Sequence, residues 1–204
     1  MSITLYHHPH SRAATVIWML EEVGQPYELH HVELRRGEQK EPGLLRLNPM
    51  GKLPVLVDGD AVVTEVAAIG MWLADRYAPG RLAPALDDPA RATYLRWILF
   101  APSVIEPAAM AKGAGWEVRA AQAGFGTFDS MQDSLSAAIG DGPWVLGEHF
   151  SMADVVLGAT VRWFLRFGML DARPEYSAYV ERLNARPACQ IADARNAEIA
   201  ASLG

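Results

Sequence analysis

The segment HHPHSRAAT, residues 7–15, places three of the chain's six histidines beside a serine and directly before an apolar stretch. Its residue types suit three kinds of chemistry. Imidazole nitrogens bind metal ions, a serine hydroxyl can act at a reacting centre, and a serine also begins helices by accepting a hydrogen bond from a first-turn amide. The local sequence alone favours the helix cap for Ser11.

The histidines are the candidate ligands for a metal ion. His30 and His31 would lie near His7, His8 and His10 if the two strands that carry them were neighbours. Adjacent residues on a strand point to opposite faces, so His7 and His8 do not readily enter one site. No carboxylate or cysteine in the pattern completes a ligand set. We therefore expect no metal.

A proline at the start of an apolar strand is the second unusual feature. Pro54, in KLPVL, lacks the amide that a central strand needs, and proline belongs at a strand's first residue, at an edge or at a bulge. A trans Leu53–Pro54 bond is the usual form. A cis bond would turn the backbone of Leu53 outward, where its amide and carbonyl would pair with an extended, peptide-like ligand.

The elements around these residues change in character near residue 78. Before it, a βαβ pattern (strands 3–6 and 27–34 around a helix over 12–23) leads through a short helix near 41–47 to a hairpin in LPVLVDGDAVV and a helix over 65–77. Asp58-Gly59 is the turn signal of that hairpin. The order βαβ and then ββα predicts a mixed sheet of four strands with helices against it.

Beyond residue 78 the pattern is helical. Residues 79–88 carry prolines without periodicity and are predicted to be a linker, and residues 89–204 to be an all-helical domain, with helices near 90–112, 127–139, 152–167, 174–185 and 188–202. Ser151 and Asp154 form a capping-box variant before an apolar run. We interpret these two residues as structural.

Composition excludes two function classes. Half of the 204 residues are apolar, a fifth are charged and the formal net charge is −6, so a folded core is expected and a nucleic-acid binder is not. No stretch is long and apolar enough for a membrane span, and the N-terminus lacks a signal-peptide pattern. The single cysteine, Cys189, fits a reducing, cytoplasmic compartment.

The whole chain resembles the cytosolic glutathione S-transferases, of the bacterial type with a serine in the active-site turn. The motifs that carry the resemblance occur in the family's order and spacing: LYHHPHSRA before a helix, NPMGKLPVLVDGD, TEVAAIGMWLADRY, and FSMADVVLGATV followed by RPACQIA. The resemblance implies a thioredoxin-like N-terminal domain over 1–78, an all-helical C-terminal domain and a homodimer. It also implies glutathione as co-substrate or cofactor, without a metal.

The resemblance assigns roles to particular residues. Ser11 would stabilise the thiolate of glutathione, with Arg12 and His10 as secondary candidates. Glutathione binding would fall to Gln39, Lys40, Lys52, Leu53, Pro54, Glu65 and Val66. The sequence departs from the family at Val66, where most relatives have serine or threonine, and this predicts a weaker affinity for glutathione.

An electrophile pocket is expected between the domains, lined from the helical one. Its predicted walls are Trp97, Phe100, Ala101, Val104, Ile105, Trp116 and Phe164, with residues 112–126 as a lid, although core or dimer contacts explain the aromatic residues equally well.

The function implied is a detoxifying transferase that conjugates glutathione to a small, largely apolar electrophile. A glutathione-dependent isomerase, dehalogenase or peroxidase is the first alternative. A non-catalytic ligand-binding or scaffold protein of the same fold is the second.

Overall fold

The chain is described by a computed structural model over residues 2–140 and 142–203, and it divides into two compact units. The first unit contains the residues up to Ala78 together with the segment that begins at Arg186, and the second runs from Pro79 to Ala185. No helix among the described residues combines the length and the apolar character that crossing a bilayer requires.

A four-stranded sheet forms the centre of the first unit. Its strands are β1 (Ile3–His7), β2 (Tyr27–His31), β3 (Val55–Asp58) and β4 (Ala61–Thr64), in the order β2-β1-β3-β4. β1 pairs with β2 in parallel, and the other two pairings are antiparallel. The mixed sheet and its hairpin are therefore confirmed.

The helices of the chain alternate with the strands at first and then follow one another. They are α1 (Ala13–Val23), α2 (Pro42–Leu47), α3 (Val66–Tyr77), α4 (Ala90–Phe100), α5 (Glu106–Gly113), α6 (Phe128–Gly140), α7 (Met152–Arg166), α8 (Pro174–Asn184) and α9 (Pro187–Ser202). Helix α1 ends at Gly24, whose φ of 75° suits a residue without a Cβ.

Two predicted elements are shorter than expected. The strand expected over 27–34 ends at His31, because the carboxylate of Glu33 accepts a hydrogen bond from the amide of Arg35 and starts a short 3₁₀ turn. The helix expected over 90–112 is interrupted by a π-helical turn, Ala101–Ile105. Pro102 has no amide to donate within a regular helix. In the same turn the hydroxyl of Ser103 donates to the carbonyl of Leu99 at 2.6 Å.

The last helix packs with the first unit, whereas the sequence placed residues 89–204 in one helical domain. Helix α9 lies along α1, where Arg186 forms a two-pronged ion pair with Glu22 at 2.7 Å. Arg195 pairs with Glu21 at 2.8 Å. Ion pairs between two helices that are far apart in the sequence leave no periodic pattern. The sequence therefore did not predict that α9 packs on α1.

The predicted linker, residues 79–88, belongs to the second unit. Leu82 and Ala83 are buried in it, and the carbonyl of Leu82 accepts a hydrogen bond from the amide of Met152 at the start of α7. The segment is therefore packed against helices despite its prolines.

The start of α7 is held by the buried carboxylate of Asp154. It accepts hydrogen bonds from the amides of Ser151 and Val145 and from the hydroxyl of Tyr179, each at 2.9 Å. Burial is the main cause that raises the pKa of Asp154 to about 6. The capping box predicted at Ser151 and Asp154 is thus present in the structure.

Candidate functional site

The turn that follows β1 carries Ser11, whose side chain is half-buried. Its hydroxyl donates to the carbonyl of His8 at 2.8 Å and accepts from the amide of Ala13 at 3.2 Å. Ser11 therefore accepts from the first amide of α1, one residue before the N-cap position. A hydroxyl has one proton, so it must turn away from the carbonyl of His8 before it can donate to a ligand.

Two alternative groups flank this serine. Arg12 occupies the N-cap position of α1 and is exposed, and His10 is exposed as well. The amide of His10 donates to Nδ1 of His8 at 3.2 Å, which fixes the backbone of the turn while leaving the ring of His10 at the surface. Their roles as alternatives to Ser11 stay predictions.

Strand register brings three separate segments to one end of the sheet. Tyr6 lies opposite Val55, and Val55 lies opposite Thr64. Because β3 runs antiparallel to both of its neighbours, the residues just beyond these pairs emerge at the same edge. The Ser11 turn, Leu53 and Glu65 are thus neighbours at the end of the sheet.

Leu53 precedes a cis proline bond. Pro54 is buried and Leu53 half-buried, before β3 begins at Val55. Among the described residues, the amide and the carbonyl of Leu53 have no backbone partner. The backbone of Leu53 is therefore available to an extended ligand.

Sequence reasoning missed the residue that shapes the loop before Leu53. Asn48 is buried, donates to the carbonyl of Lys52 at 2.9 Å and accepts from the amide of Met50 at 3.1 Å. The signal was the turn-forming pair Asn48-Pro49 followed by Gly51. A Cβ at Gly51 would come within 2.8 Å of the carbonyl oxygen of Gln39, so the loop needs glycine there.

The three predicted polar residues lie beside this loop. Lys40 donates to the carbonyl of Met50 at 2.9 Å, and Lys52 is exposed. The side-chain carbonyl oxygen of Gln39 is buried without a hydrogen-bond partner among the described residues. A buried acceptor without a donor is unfavourable, so a ligand donor would stabilise this one.

Glu65 adopts a backbone conformation that is rare outside glycine, with φ of 66° and ψ of 124°. It is exposed and lies immediately before α3, whose first turn has no side-chain cap among the residues the structure describes. The free amides at Val66 and the residues after it form the positive end of the helix. An acid beside free amides suits a ligand with an ammonium and a carboxylate on one carbon.

The rings of His7 and His8 have different neighbours. His7 is buried, and its Nε2 lies 3.0 Å from the side-chain oxygen of Asn196; burial lowers the pKa of His7. The ring of His8 faces His31 instead, at 5.5 Å. The expectation that no carboxylate joins the histidines is wrong: donor atoms of His8, His31 and Glu33 lie within 4.8 Å of one another.

The predicted pocket residues fall into two groups in the second unit. Four are almost fully buried and belong to its core: Trp97, Ala101, Ile105 and Phe164. Val104, in the π-helical turn, and Phe100, just before it, are half-buried, and Trp116 is 64% exposed. Only this second group presents surface to a ligand in the described conformation.

Comparison with protein families gives two matches. The model described as Glutathione S-transferase, N-terminal domain, matches residues 1–75, and the model described as Glutathione S-transferase, C-terminal domain, matches residues 118–182. Glutathione S-transferase 3 of Zea mays is 30% identical over 195 residues, 88% of this chain and 86% of the maize protein. Glutathione S-transferase F14 of Arabidopsis thaliana is 28% identical over 193 residues, 86% of this chain and 76% of its own.

Solved structures are similar over nearly the whole chain. A glutathione transferase family member from Pseudomonas fluorescens pf-5, with two glutathione bound, has a TM-score of 0.78 and 26% identity and covers 93% of this chain and 91% of its own. A glutathione transferase from Methylococcus capsulatus has a TM-score of 0.77 and 29% identity and covers 96% and 98%. The predicted thioredoxin-like domain followed by a helical domain is confirmed.

Proposed function

The chain belongs to the glutathione S-transferase family of enzymes, and we propose that it binds reduced glutathione at the end of its sheet, ionises the thiol beside Ser11 and transfers it to a small electrophile. One observation carries this proposal. Strand register brings the Ser11 turn, the open backbone of Leu53 and the uncapped start of α3 to a single edge.

Thiol ionisation is the chemical task. A free thiol has a pKa of about 8.5, and only the thiolate is a good nucleophile. Lowering that pKa by about two units requires roughly 2.7 kcal/mol of preferential stabilisation of the anion. A hydrogen bond from Ser11, placed at the positive end of α1, supplies an effect of this size. The serine donates and does not itself attack, so no catalytic triad is needed.

The peptide part of glutathione fits the remaining groups. The carboxylate of Glu65 would bind the γ-glutamyl ammonium, and the amide of Val66 would bind its carboxylate. The backbone of Leu53 would pair with the cysteinyl residue. Gln39, Lys40 and Lys52 would hold the glycyl end, where Lys40 must release the carbonyl of Met50 to take part.

The chemistry of the second substrate is inferred from the predicted pocket residues of the second unit. Phe100, Val104 and Trp116 retain accessible apolar surface, which favours a small and largely apolar substrate. Conjugation, isomerisation, dehalogenation and peroxide reduction all begin from the same thiolate. Product analysis separates them, because net consumption of glutathione with an isomerisable substrate excludes an isomerase.

We also propose that the protein is a cytoplasmic homodimer. A groove of about 600 Å³ formed by α3 and β4 is lined by Val63, Ala68, Met71, Trp72, Asp75 and Arg76. Apolar surface rimmed by an acid and a base is typical of a contact between copies. The single, buried Cys189 fits a reducing compartment.

A non-catalytic protein of this fold is the second candidate. Val66 lacks the hydroxyl that most relatives have at this position. The hydroxyl of Ser11 donates its proton to the backbone carbonyl of His8 in this structure. Both features would weaken glutathione binding or activation.

A calorimetric titration with reduced glutathione tests the proposal, with Glu65→Gln as the matched variant. We expect saturable binding at or below millimolar concentration, and weaker binding to the variant, because it loses the negative charge. Absence of binding at cellular glutathione concentration would favour the non-catalytic candidate.

A further inference from the structure

The rings of His8 and His31 take no part in the chemistry proposed above. We propose that His8, His31 and Glu33 form a binding site for one divalent transition-metal ion of the zinc class. The site lies at the ends of β1 and β2, and it does not depend on the proposed transferase activity.

Parallel pairing of the two strands creates the site. His7 lies opposite His31, so His8 is the next residue beyond the strand end and its ring lies 5.5 Å from that of His31. The 3₁₀ turn after β2 brings Glu33 back, with Oε2 3.9 Å from Nε2 of His31. Residues that are distant in sequence thus converge from two strands.

The distances between the three donor atoms are longer than in a zinc site and must shorten when an ion binds. The three donor atoms lie within 4.8 Å of one another. Tetrahedral ligands of zinc, each about 2.0–2.1 Å from the ion, are about 3.3 Å apart, so the donors must approach by up to about 1.5 Å. The side chains of His31 and Glu33 are 36% and 23% exposed, and the approach falls chiefly to His31, because the amide of Arg35 holds the carboxylate of Glu33.

The carboxylate of Glu33 is already oriented. Its Oε1 accepts from the amide of Arg35 at 2.9 Å, which leaves Oε2 directed at His31. Hydrogen bonds of this kind orient metal ligands in established sites.

His8 has to exchange one contact for the metal. Its Nδ1 accepts from the amide of His10 at 3.2 Å, near the long end of the range for such bonds. An Nδ1 that accepts leaves the ring proton on Nε2, so binding through Nε2 moves this proton to Nδ1 and the hydrogen bond is lost. The nearby charge of Arg35 also opposes a cation. We therefore expect micromolar affinity.

Ligand chemistry selects the class of ion. Two imidazoles and one carboxylate suit Zn²⁺, Co²⁺, Ni²⁺ or Cu²⁺, whereas Ca²⁺ and Mg²⁺ prefer oxygen ligands throughout. Three protein ligands leave a fourth position for water or for another donor.

Calorimetric titration of untagged, chelator-stripped protein with Zn²⁺ tests the site, with glutathione left out because its thiol binds metals. His31→Ala removes one ligand. His30→Ala is the matched control, since His30 is adjacent on the same strand and exposed, and its ring lies 4.6 Å from that of Tyr6. Glu33→Gln keeps an acceptor for the Arg35 amide and removes the charge.

We expect one equivalent of Zn²⁺, weakened about tenfold or more by His31→Ala and by Glu33→Gln and unchanged by His30→Ala. Co²⁺ should give the intense visible absorption of a tetrahedral site, lost in His31→Ala. Equal binding by the two histidine variants would mean an adventitious ion only. That result, or the absence of saturable binding by the wild-type protein, would overturn the proposal.

Discussion

The side-chain oxygen of Asn196 lies 3.0 Å from Nε2 of His7, and this contact joins the last helix to the end of strand β1. The amide group of Asn196 also donates to the carbonyl of Pro9 at 3.2 Å. A single side chain therefore holds two points of the segment that leads to Ser11. Because its oxygen accepts, the Nε2 of His7 carries the ring proton.

Asn196→Ala should loosen the Ser11 turn without removing α9, which Arg186 and Glu22 still hold. Leaving a buried ring and a carbonyl without partners should lower the free energy of unfolding by about 1–3 kcal/mol. The variant should lose several-fold more in turnover than in affinity for glutathione. Urea denaturation measures the free energy of unfolding, steady-state kinetics measure turnover, and calorimetric titration measures glutathione binding. Glu198→Ala, exposed on the same helix, is the control, and equal effects of the two variants would refute a positioning role.

Val66→Thr should strengthen glutathione binding. The substitution adds a hydroxyl at the start of α3 at nearly constant volume, beside amides that already bind the γ-glutamyl carboxylate in the proposed complex. One added hydrogen bond to a charged group contributes about 1.5 kcal/mol, or roughly a tenfold lower Kd. Calorimetric titration measures the difference, with Val66→Ala as the variant that lacks a hydroxyl. An unchanged Kd in Val66→Thr would place the ligand elsewhere.

Asp154 should make stability depend on pH. Its pKa of about 6 in the folded state lies above the unfolded value of 3.8, so the folded protein binds more protons between these values. The contribution of Asp154 to the free energy of unfolding therefore falls as pH rises, by about 1 kcal/mol from pH 5 to pH 7.

Asp154→Asn removes this titration, and the comparison isolates it from the histidines. Urea denaturation at several pH values should show the advantage of wild type over Asp154→Asn shrinking as pH rises. Glutathione affinity of the folded variant should be unchanged, because Asp154 caps α7 in the second unit. A constant difference between the two proteins would contradict the raised pKa.

Met71→Glu should weaken self-association. Met71 is half-buried in the groove on α3, and a charge there would lose its solvation in a contact between copies. Sedimentation analysis should show a lower sedimentation coefficient at equal concentration, while Glu41→Lys, exposed before α2, should remain as wild type. A monomeric wild-type protein would exclude the proposed homodimer.

The sequence predicted the sheet and the helices because each leaves a periodic pattern of apolar residues along the chain. It also brought Ser11, Leu53 and Glu65 together through the family motifs. It missed contacts that depend on the third dimension. Asn196 and Glu33 reach the histidines only through helix packing and a 3₁₀ turn. The burial of Phe164 and Ile105 depends on which helix face meets a neighbour, and apolar spacing alone does not decide that.

The ionisation of bound glutathione tests the central claim most directly. Ultraviolet absorbance of the thiolate, followed across pH in the complex, gives its pKa for wild type, Ser11→Ala and Ser11→Thr. We predict a thiol pKa well below the free value of about 8.5 in wild type, raised by about one to two units in Ser11→Ala and largely retained in Ser11→Thr. The same pKa in wild type and Ser11→Ala would contradict the role of Ser11 and shift the assignment to Arg12 or His10.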